Sequence, residues 1–367
     1  MKFNIISYSF LGKTGDFDAE IVGGQEIYLM DLSKFLVKKG HEVTIIQAGP
    51  RGEEEIEDIK VKKIGDVGKN EFAFRWKKYL DKKADFVHFH DFEHAFPLAK
   101  DSYTGTCHGV TWDCPEPNLY WKVHNIYHKF LAKYAVKRLK KIASVDSFLL
   151  RFVQSEMPNY RDKVTVIHSY VDTKIFRPSI CKSVRKNFSR PIILFPRNLT
   201  YIRGIMLILK SVKEVIKRIP SATLLVTGTG PLEKEAKEYV MKNGLEKNVF
   251  FLGHKDHYTE MPRFYAASDL VVVPSLGREG CSLSALEALA TKKPLVVTNV
   301  GGLIDIVIHG FNGLVSKPNY KDLSEKILYL IENKKEAKRV AQTGYVWVKK
   351  YFNYKVWCKK YEEFFEI

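Results

Sequence analysis

Residues 268–293 read SDLVVVPSLGREGCSLSALEALATKK, and this stretch decides the fold. Leu270 to Pro274 is a short apolar, β-branched run, suited to a strand buried on both faces. Ser275 to Ser282 is a polar turn holding Gly277 and Gly280. From Leu283 the pattern is helical: Leu283, Leu286 and Leu289 recur toward one face, and Ser282 stands where an N-cap belongs. In an open parallel sheet, ligands sit beyond the carboxyl ends of the strands, where a helix N-terminus offers amide donors and a positive dipole. Two carboxylates bracket that place, Glu279 in the turn and Glu287 in the second turn of the helix.

Glu287 has Leu283, Ser284, Ala290 and Thr291 as helical neighbours, so no Lys or Arg three or four residues away pairs with it. Two readings stand. One is a solvated helix carboxylate, the common fate of a Glu. The other is an acceptor for vicinal hydroxyls, as acidic residues serve ribose in dinucleotide folds.

The pattern P-S-x-x-x-E-G-x-x-L-x-x-L-E-A-L-A over 274–290 resembles the donor motif of the family-four retaining glycosyltransferases of GT-B fold. The resemblance implies an α/β protein of two Rossmann-like, doubly wound domains facing each other across a cleft. It implies that Glu279 is catalytic and contacts the hydroxyls of the transferred sugar, and that Glu287 holds the ribose of a nucleotide-sugar. The amides of Gly280, Cys281, Ser282 and Leu283 would face sugar and diphosphate. Cys281-Ser282 replaces the family's usual Phe-Gly and Ser284 its usual Pro, which keeps the backbone role but leaves the sugar unnamed.

Upstream, Lys2 to Ser9 opens as a strand. After a loop to Gly23-Gly24, Glu26 to Lys39 is an amphipathic helix closed by Gly40, and Val43 to Gln47 is the next strand. Two adjacent glycines alone mark only a turn. The whole run from Gly23-Gly24 to Gly40-His41-Glu42-Val43 again resembles the family, which implies that the Gly23 and Gly24 amides approach the donor phosphates. Ala84 to His90 is a strand ending in His88-Phe89-His90-Asp91. His-x-His suits a metal, but no further ligands stand at suitable spacing, so a packed histidine is expected. His124 and His128 lie one helical turn apart without the Glu of H-E-x-x-H, and zinc is set aside. TGTCHG at 104–109 is a strand ending at His108-Gly109, where a turn histidine and a cleft histidine are equal on local grounds; the resemblance makes His108 an active-site residue.

Ala143 to Val153 and Lys163 to Ser169 look like strands around a helix. VIHSYVDTKIFRP at 166–178 resembles the family's interdomain passage, and 177–190 is the expected linker. The second domain begins at the strand Pro191 to Pro196 and reaches RNLTYIRG at 197–204. Two arginines flanking a turn suit a diphosphate, because a guanidinium fork binds two phosphate oxygens; without context they are surface arginines. The resemblance carries Arg197 over as donor-binding and Arg203 with it, in a spacer one residue longer and with Arg in place of Lys. Gly228-Thr229-Gly230-Pro231 is a loop near phosphate or base, with Gly228 assigned to the donor. The expected domains are 1–178, completed by a final helix at about 351–367, and 190–350.

The chain has 367 residues, 45% of them hydrophobic, with no apolar run of membrane-span length and no signal-peptide pattern at the N-terminus. Five scattered cysteines without C-x-x-C point to a reduced, cytoplasmic protein with no structural zinc. The net charge of +17 points to anionic partners. No nucleic-acid module is present, so a nucleic-acid partner is not expected. The charge gathers on 119–141, where seven Lys or Arg and no acidic residue occur. At helical spacing Lys122, Lys129, Lys133, Lys137 and Lys140 form a stripe beside Val123, Tyr127, Phe130 and Tyr134, with Ile126 at the boundary and Asn118 as the cap. Such a stripe suits an anionic membrane surface, which would make the protein peripheral on the cytoplasmic face; an ordinary solvated helix face is the alternative.

The reading is thus a retaining hexosyltransferase taking a nucleoside diphosphate sugar as donor, without a cofactor or metal. Its acceptor is a hydroxyl compound, lipid-linked or a saccharide. Rivals are a nucleotide-sugar epimerase on the same fold and a nucleic-acid-binding protein.

Overall fold

The computed structural model describes residues 1–10, 24–112 and 119–367. Two compact units result: among the described residues, one holds those from Met1 to His168 together with Cys358–Ile367, and the other holds Ser169–Trp357. The first ends at His168, ten residues before the expected boundary. Beyond it the chain is tied into the second unit: Val171 N–H donates to Phe352 C=O at 3.0 Å, and the Phe176 ring packs edge-on against Tyr265.

The first unit is built on β1 (Lys2–Ile6), β2 (Glu42–Gln47), β3 (Gly49–Ile56), β4 (Ile59–Gly65), β5 (Phe86–Phe89), β6 (Thr104–Cys107), β7 (Lys141–Ser144) and β8 (Val164–Val166). Their order is β3-β4-β2-β1-β5-β6-β7-β8. Only β3 runs antiparallel, as a hairpin on β4. Its acidic run is answered by lysines of β4, with Glu54 and Lys63 2.7 Å apart. The direction of strand addition reverses between β1 and β5, the switch point where an open α/β sheet leaves a crevice. Residues 148–153, expected as strand, belong to the helix Phe148–Glu156. An apolar run alone does not separate the two states. The Asp146 carboxylate, accepting from Phe148 N–H at 2.8 Å, starts the helix.

The last ten residues complete this unit through the helix Tyr354–Phe365. Tyr361 and Tyr28 share a 2.6 Å hydroxyl contact, Glu362 pairs with Lys39 and Glu366 with Lys141. Phe365 packs edge-on against Phe3 and Phe86.

The second unit holds β9 (Ile192–Pro196), β10 (Thr223–Thr227), β11 (Val249–Phe251), β12 (Leu270–Val273), β13 (Leu295–Thr298) and β14 (Leu314–Ser316). Their order is β11-β10-β9-β12-β13-β14, parallel throughout. Counted within the unit this is 3-2-1-4-5-6, the doubly wound order, with the switch point between β9 and β12. β12 is buried on both faces, as its unbroken apolar run requires. At the amino ends of β9 and β12, Asp269 accepts from Arg190, Arg185 and the Ile192 amide, which pins the 185–192 segment to the sheet.

Candidate active site

The quoted stretch folds as read: β12, a turn, and the helix Leu283–Ala290 with Ser282 at its N-cap. The turn is fastened at three points. Leu276 N–H donates to Ile202 C=O at 2.8 Å, Thr298 Oγ1 to Ser275 C=O at 2.5 Å, and Gly302 N–H to Glu279 C=O at 2.8 Å. Arg278 is held at a φ of 51°, a left-handed value uncommon for a residue with a side chain.

These fastenings aim Glu279 inward, where it is 4% exposed. Its Oε2 accepts from Arg197 Nη2 at 2.5 Å, from Arg203 Nη1 and from Ser275 Oγ at 2.7 Å. Burial alone would raise its pKa, but the two guanidiniums outweigh burial and hold it below the usual carboxylate range. Arg197 follows β9, Arg203 ends the short 3-10 turn Tyr201–Arg203, and Glu279 follows β12, so the switch point brings them together. Two cations and one anion leave the cluster one positive charge, beside a helix N-terminus whose first amides have no intrahelical acceptor. Ser282 does not cap that helix with its side chain; its hydroxyl accepts from Arg197 Nη1 at 3.1 Å instead. Gly280, Cys281 and Leu283 complete the turn into the helix, with Cys281 buried and its Sγ 3.9 Å from Ser169 C=O.

Gly228 takes its place by close approach. It sits at a φ of 126°, and a Cβ there would lie 2.6 Å from the Arg197 carbonyl oxygen. Leu199 N–H donates to Thr229 C=O at 2.9 Å, so this loop braces the turn that carries Arg197. Gly204 is tighter still: its added Cβ would meet Pro274 C=O at 1.9 Å.

Glu287 is not a solvated helix carboxylate. It is 4% exposed, accepts from Tyr265 Oη at 2.7 Å, and has His257 Nε2 3.7 Å from its other oxygen. Burial raises its pKa, against His257, the Tyr265 hydroxyl and Arg197. Tyr265 and His257 were not singled out from the sequence. They lie 22 and 30 residues before Glu287, and only the parallel packing of β12 beside β9 makes them neighbours.

In the first unit, the carboxyl ends of β5 and β6 gather histidines. His88 is a packed residue, its two nitrogens 2.9 Å from the hydroxyls of Thr104 and Thr106. His108 Nε2 lies 3.3 Å from His90 Nδ1, and His90 Nε2 3.0 Å from Gln25 C=O at the start of the helix Gly24–Lys38. Burial pushes His108 down to about 4, so it is neutral at pH 7. Gly24 begins that helix; Gly23 lies outside the described residues, as does Asn118. Glu93 follows β5 on the turn Phe92–Ala95 and pairs with His128, which stacks near His124 with ring centroids 4.2 Å apart. Among the described residues no three His, Cys, Asp or Glu are grouped to hold a metal ion.

Of the five lysines expected on the basic stripe, Lys122, Lys129, Lys137 and Lys140 are exposed, Lys140 lying 3.8 Å from Glu366. Lys133 is drawn aside: it pairs with Glu156 at 3.1 Å and lies over the Phe152 ring. Tyr134, expected beside the stripe, instead donates to Pro97 C=O at 2.6 Å.

The model of the glycosyl transferases group 1 family matches residues 176–347, and that of glycosyltransferase family 4 matches residues 22–175. An uncharacterized glycosyltransferase of Methanocaldococcus jannaschii is 27% identical over 84% of this chain and 85% of its own. The lipopolysaccharide core biosynthesis mannosyltransferase of Rhizobium meliloti is 30% identical over about half of each chain. Among solved structures, sucrose-phosphate synthase from Thermosynechococcus elongatus superposes with a TM-score of 0.83 at 18% identity, covering 100% of this chain and 98% of its own. Anabaena HepE in complex with UDP does so at 0.79 and 17%, over 100% of both. Two matched models spanning both units, each a doubly wound sheet, show that the chain belongs to the group 1, family 4 glycosyltransferases.

Proposed function

We propose that this glycosyltransferase moves a hexose-type sugar from a nucleoside diphosphate sugar to a hydroxyl acceptor, lipid-linked or a saccharide, with retention at the anomeric carbon. The observation that carries the reading is the gathering of Arg197, Arg203 and Glu279 at one switch point, with Glu287 buried on the adjoining helix. The HepE neighbour holds UDP-glucose in another of its structures, which supports a donor of that class. In this reading Glu287 accepts hydrogen bonds from the ribose, oriented by Tyr265.

The departing diphosphate gains negative charge as the sugar gains oxocarbenium character. Arg197, Arg203 and the helix amides offset the first in a preorganised, water-poor setting. Glu279 keeps both guanidiniums in place and sits where it orients sugar hydroxyls near the cationic ring. A carboxylate engaged by two arginines is a poor nucleophile, which favours same-face attack assisted by the leaving group over double displacement. No metal or cofactor is invoked. His108, neutral at pH 7, offers hydrogen bonds to the transferred sugar rather than charge.

A thermal-shift screen of UDP-, GDP- and ADP-sugars identifies the donor, since a ligand that binds the folded state raises Tm. NMR of the product with that donor then reads the anomeric configuration. Inversion overturns the retaining assignment, and turnover to an isomeric nucleotide-sugar without acceptor overturns transfer in favour of epimerisation.

A further inference from the structure

Among the described residues no helix is long and apolar enough to cross a membrane. The helix Leu119–Arg138 of the first unit nevertheless has its apolar residues distributed the wrong way round for a helix in water. Its core side is made of Leu131, Ala132, Ala135 and Val136, together with Asn125, mostly small groups. Its outer side carries larger ones: Leu119, Tyr120, Val123, Ile126, Tyr127 and Phe130 are exposed, from 47% for Tyr127 to 75% for Leu119. At 3.6 residues per turn, Leu119, Val123, Ile126 and Phe130 fall within about 60° of one another. Isolated exposed apolar residues need no explanation, but a contiguous row is a binding surface.

The charge beside that row identifies what it meets. Lys122 and Lys129 flank the row on one side, and Lys137 continues it about two turns farther along the helix. All three are exposed, and among the described residues no carboxylate pairs with them. Lys137 also lines a cavity of about 330 Å³ with Lys133, Glu156, Asn159 and Tyr160. Because Lys133 and Glu156 satisfy each other, Lys137 is the charge left over in that recess. An acidic protein partner would leave the apolar row without a matching depth. A bilayer supplies both parts at once, an apolar boundary a few ångströms below a plane of phosphates.

We propose that this face docks on an anionic phospholipid bilayer. The row from Leu119 to Phe130 enters the boundary between headgroups and acyl chains, and Lys122, Lys129 and Lys137 meet lipid phosphates. The tyrosines at 120 and 127 lie on the far flank of the row, where an amphipathic ring spans the wet and apolar layers. This surface goes beyond the glycosyl-transfer reading and does not depend on it.

The test uses the full chain and vesicles of phosphatidylglycerol with phosphatidylcholine, against vesicles of phosphatidylcholine alone. The parent should sediment with the anionic vesicles only, and moderate salt should release it. Ile126→Gln with Phe130→Gln should weaken binding by about tenfold or more, as should Lys122→Gln, Lys129→Gln and Lys137→Gln together. These side chains are exposed, with Phe130 keeping an edge contact to the Phe96 ring, so unchanged Tm and nucleotide thermal shift serve as the check on folding. The exposed pair Lys334→Gln and Lys335→Gln is the control for net charge and should bind as the parent does. Parent-like binding by the apolar variant overturns the proposal, as does an equal loss in the control pair. Failure of the parent to bind anionic vesicles also overturns it. A dimer broken by the apolar substitutions would assign the row to a second copy of the chain. Oligonucleotide binding lost with the lysines, without vesicle binding, would assign the charge to nucleic acid. Either result replaces the bilayer.

Discussion

Arg197 and Glu279 meet at 2.5 Å although 82 residues separate them, with side chains 9% and 4% exposed. A buried ion pair is weak evidence for stability, because desolvation offsets much of the attraction. Here the carboxylate is shared with Arg203, and the cluster keeps a positive charge that a purely structural pair would have cancelled. In the proposed function, that surplus is what the donor diphosphate meets.

Removing Glu279 should therefore separate folding from binding. In Glu279→Ala two guanidiniums face each other without an anion, so Tm should fall. A nucleoside diphosphate then supplies the missing charge and should raise the variant's Tm by more than it raises the parent's, while turnover of the intact donor drops. Arg197→Ala should behave in the opposite sense, with a smaller diphosphate shift and a loss of about 2 kcal/mol or more in transition-state stabilisation. Arg203→Lys should cost much less, since one charge remains within reach. An equal diphosphate shift in parent and both alanine variants would reject the arginine clamp.

Glu287→Ala should weaken binding of the sugar-free nucleoside diphosphate. Tyr265→Phe should act in the same direction and more weakly, by about 1 kcal/mol, because it leaves the carboxylate in place with one hydrogen bond fewer. Titration calorimetry reads both. Nucleotide affinity unchanged in Glu287→Ala would remove the ribose assignment.

Glu279 and Glu287 were legible because strand, turn and helix lie in one continuous stretch. Arg197 was carried over by the family resemblance alone, since its local sequence suits a surface arginine equally. What answers these groups was not legible. Tyr265 sits in the helix Met261–Ala267, 22 residues before Glu287, and nothing in that helix hints at a carboxylate partner. Residues 148–153 suit strand and helix alike, because Phe148, Leu149, Leu150, Phe152 and Val153 are apolar in either state, and the Asp146 carboxylate at the Phe148 amide decides for the helix. The basic helix was legible as a stripe of charge. Val123, Tyr127 and Phe130 were legible beside it, whereas Tyr134, expected with them, turns to the Pro97 carbonyl.

Gly204 and Gly244 have similar positive φ values, 79° and 64°, and very different surroundings. A Cβ at Gly244 meets nothing within 4 Å, whereas one at Gly204 would lie 1.9 Å from the Pro274 carbonyl oxygen. Gly244→Ala should cost about 1 kcal/mol for the left-handed backbone alone. Gly204→Ala should cost appreciably more and also lower nucleotide affinity, because Arg203 precedes it and Pro274 leads into the Glu279 turn. Equal Tm losses would mean that the 201–204 turn relaxes away from β12 without strain.

The pair of Glu93 and His128 makes a pH prediction that does not involve the donor site. Glu93 is pushed up to about 7, first by burial and then by Asp91, against the opposing pulls of His128 and Lys69. Its ordinary value is 4.5, so between pH 4.5 and about 7 the unfolded chain loses this proton while the folded chain keeps it. Fewer protons bound in the unfolded state means that stability falls as pH rises through that window. The contribution is fully present below pH 4.5 and gone above about 7, a span of up to about 3 kcal/mol. Buried histidines act oppositely. His88 and His108 are pushed down to about 3 and about 4, and they cost stability as pH falls below 6.5. The parent's own profile therefore mixes both signs. Glu93→Gln keeps the shape of the protonated carboxyl and removes its titration, so the difference between variant and parent isolates one group. Denaturant unfolding from pH 4 to pH 8 should show the variant gaining on the parent between pH 4.5 and 7 and holding a constant lead above it. A difference that stays flat across the window would mean that Glu93 is ionised in the folded protein, held so by His128.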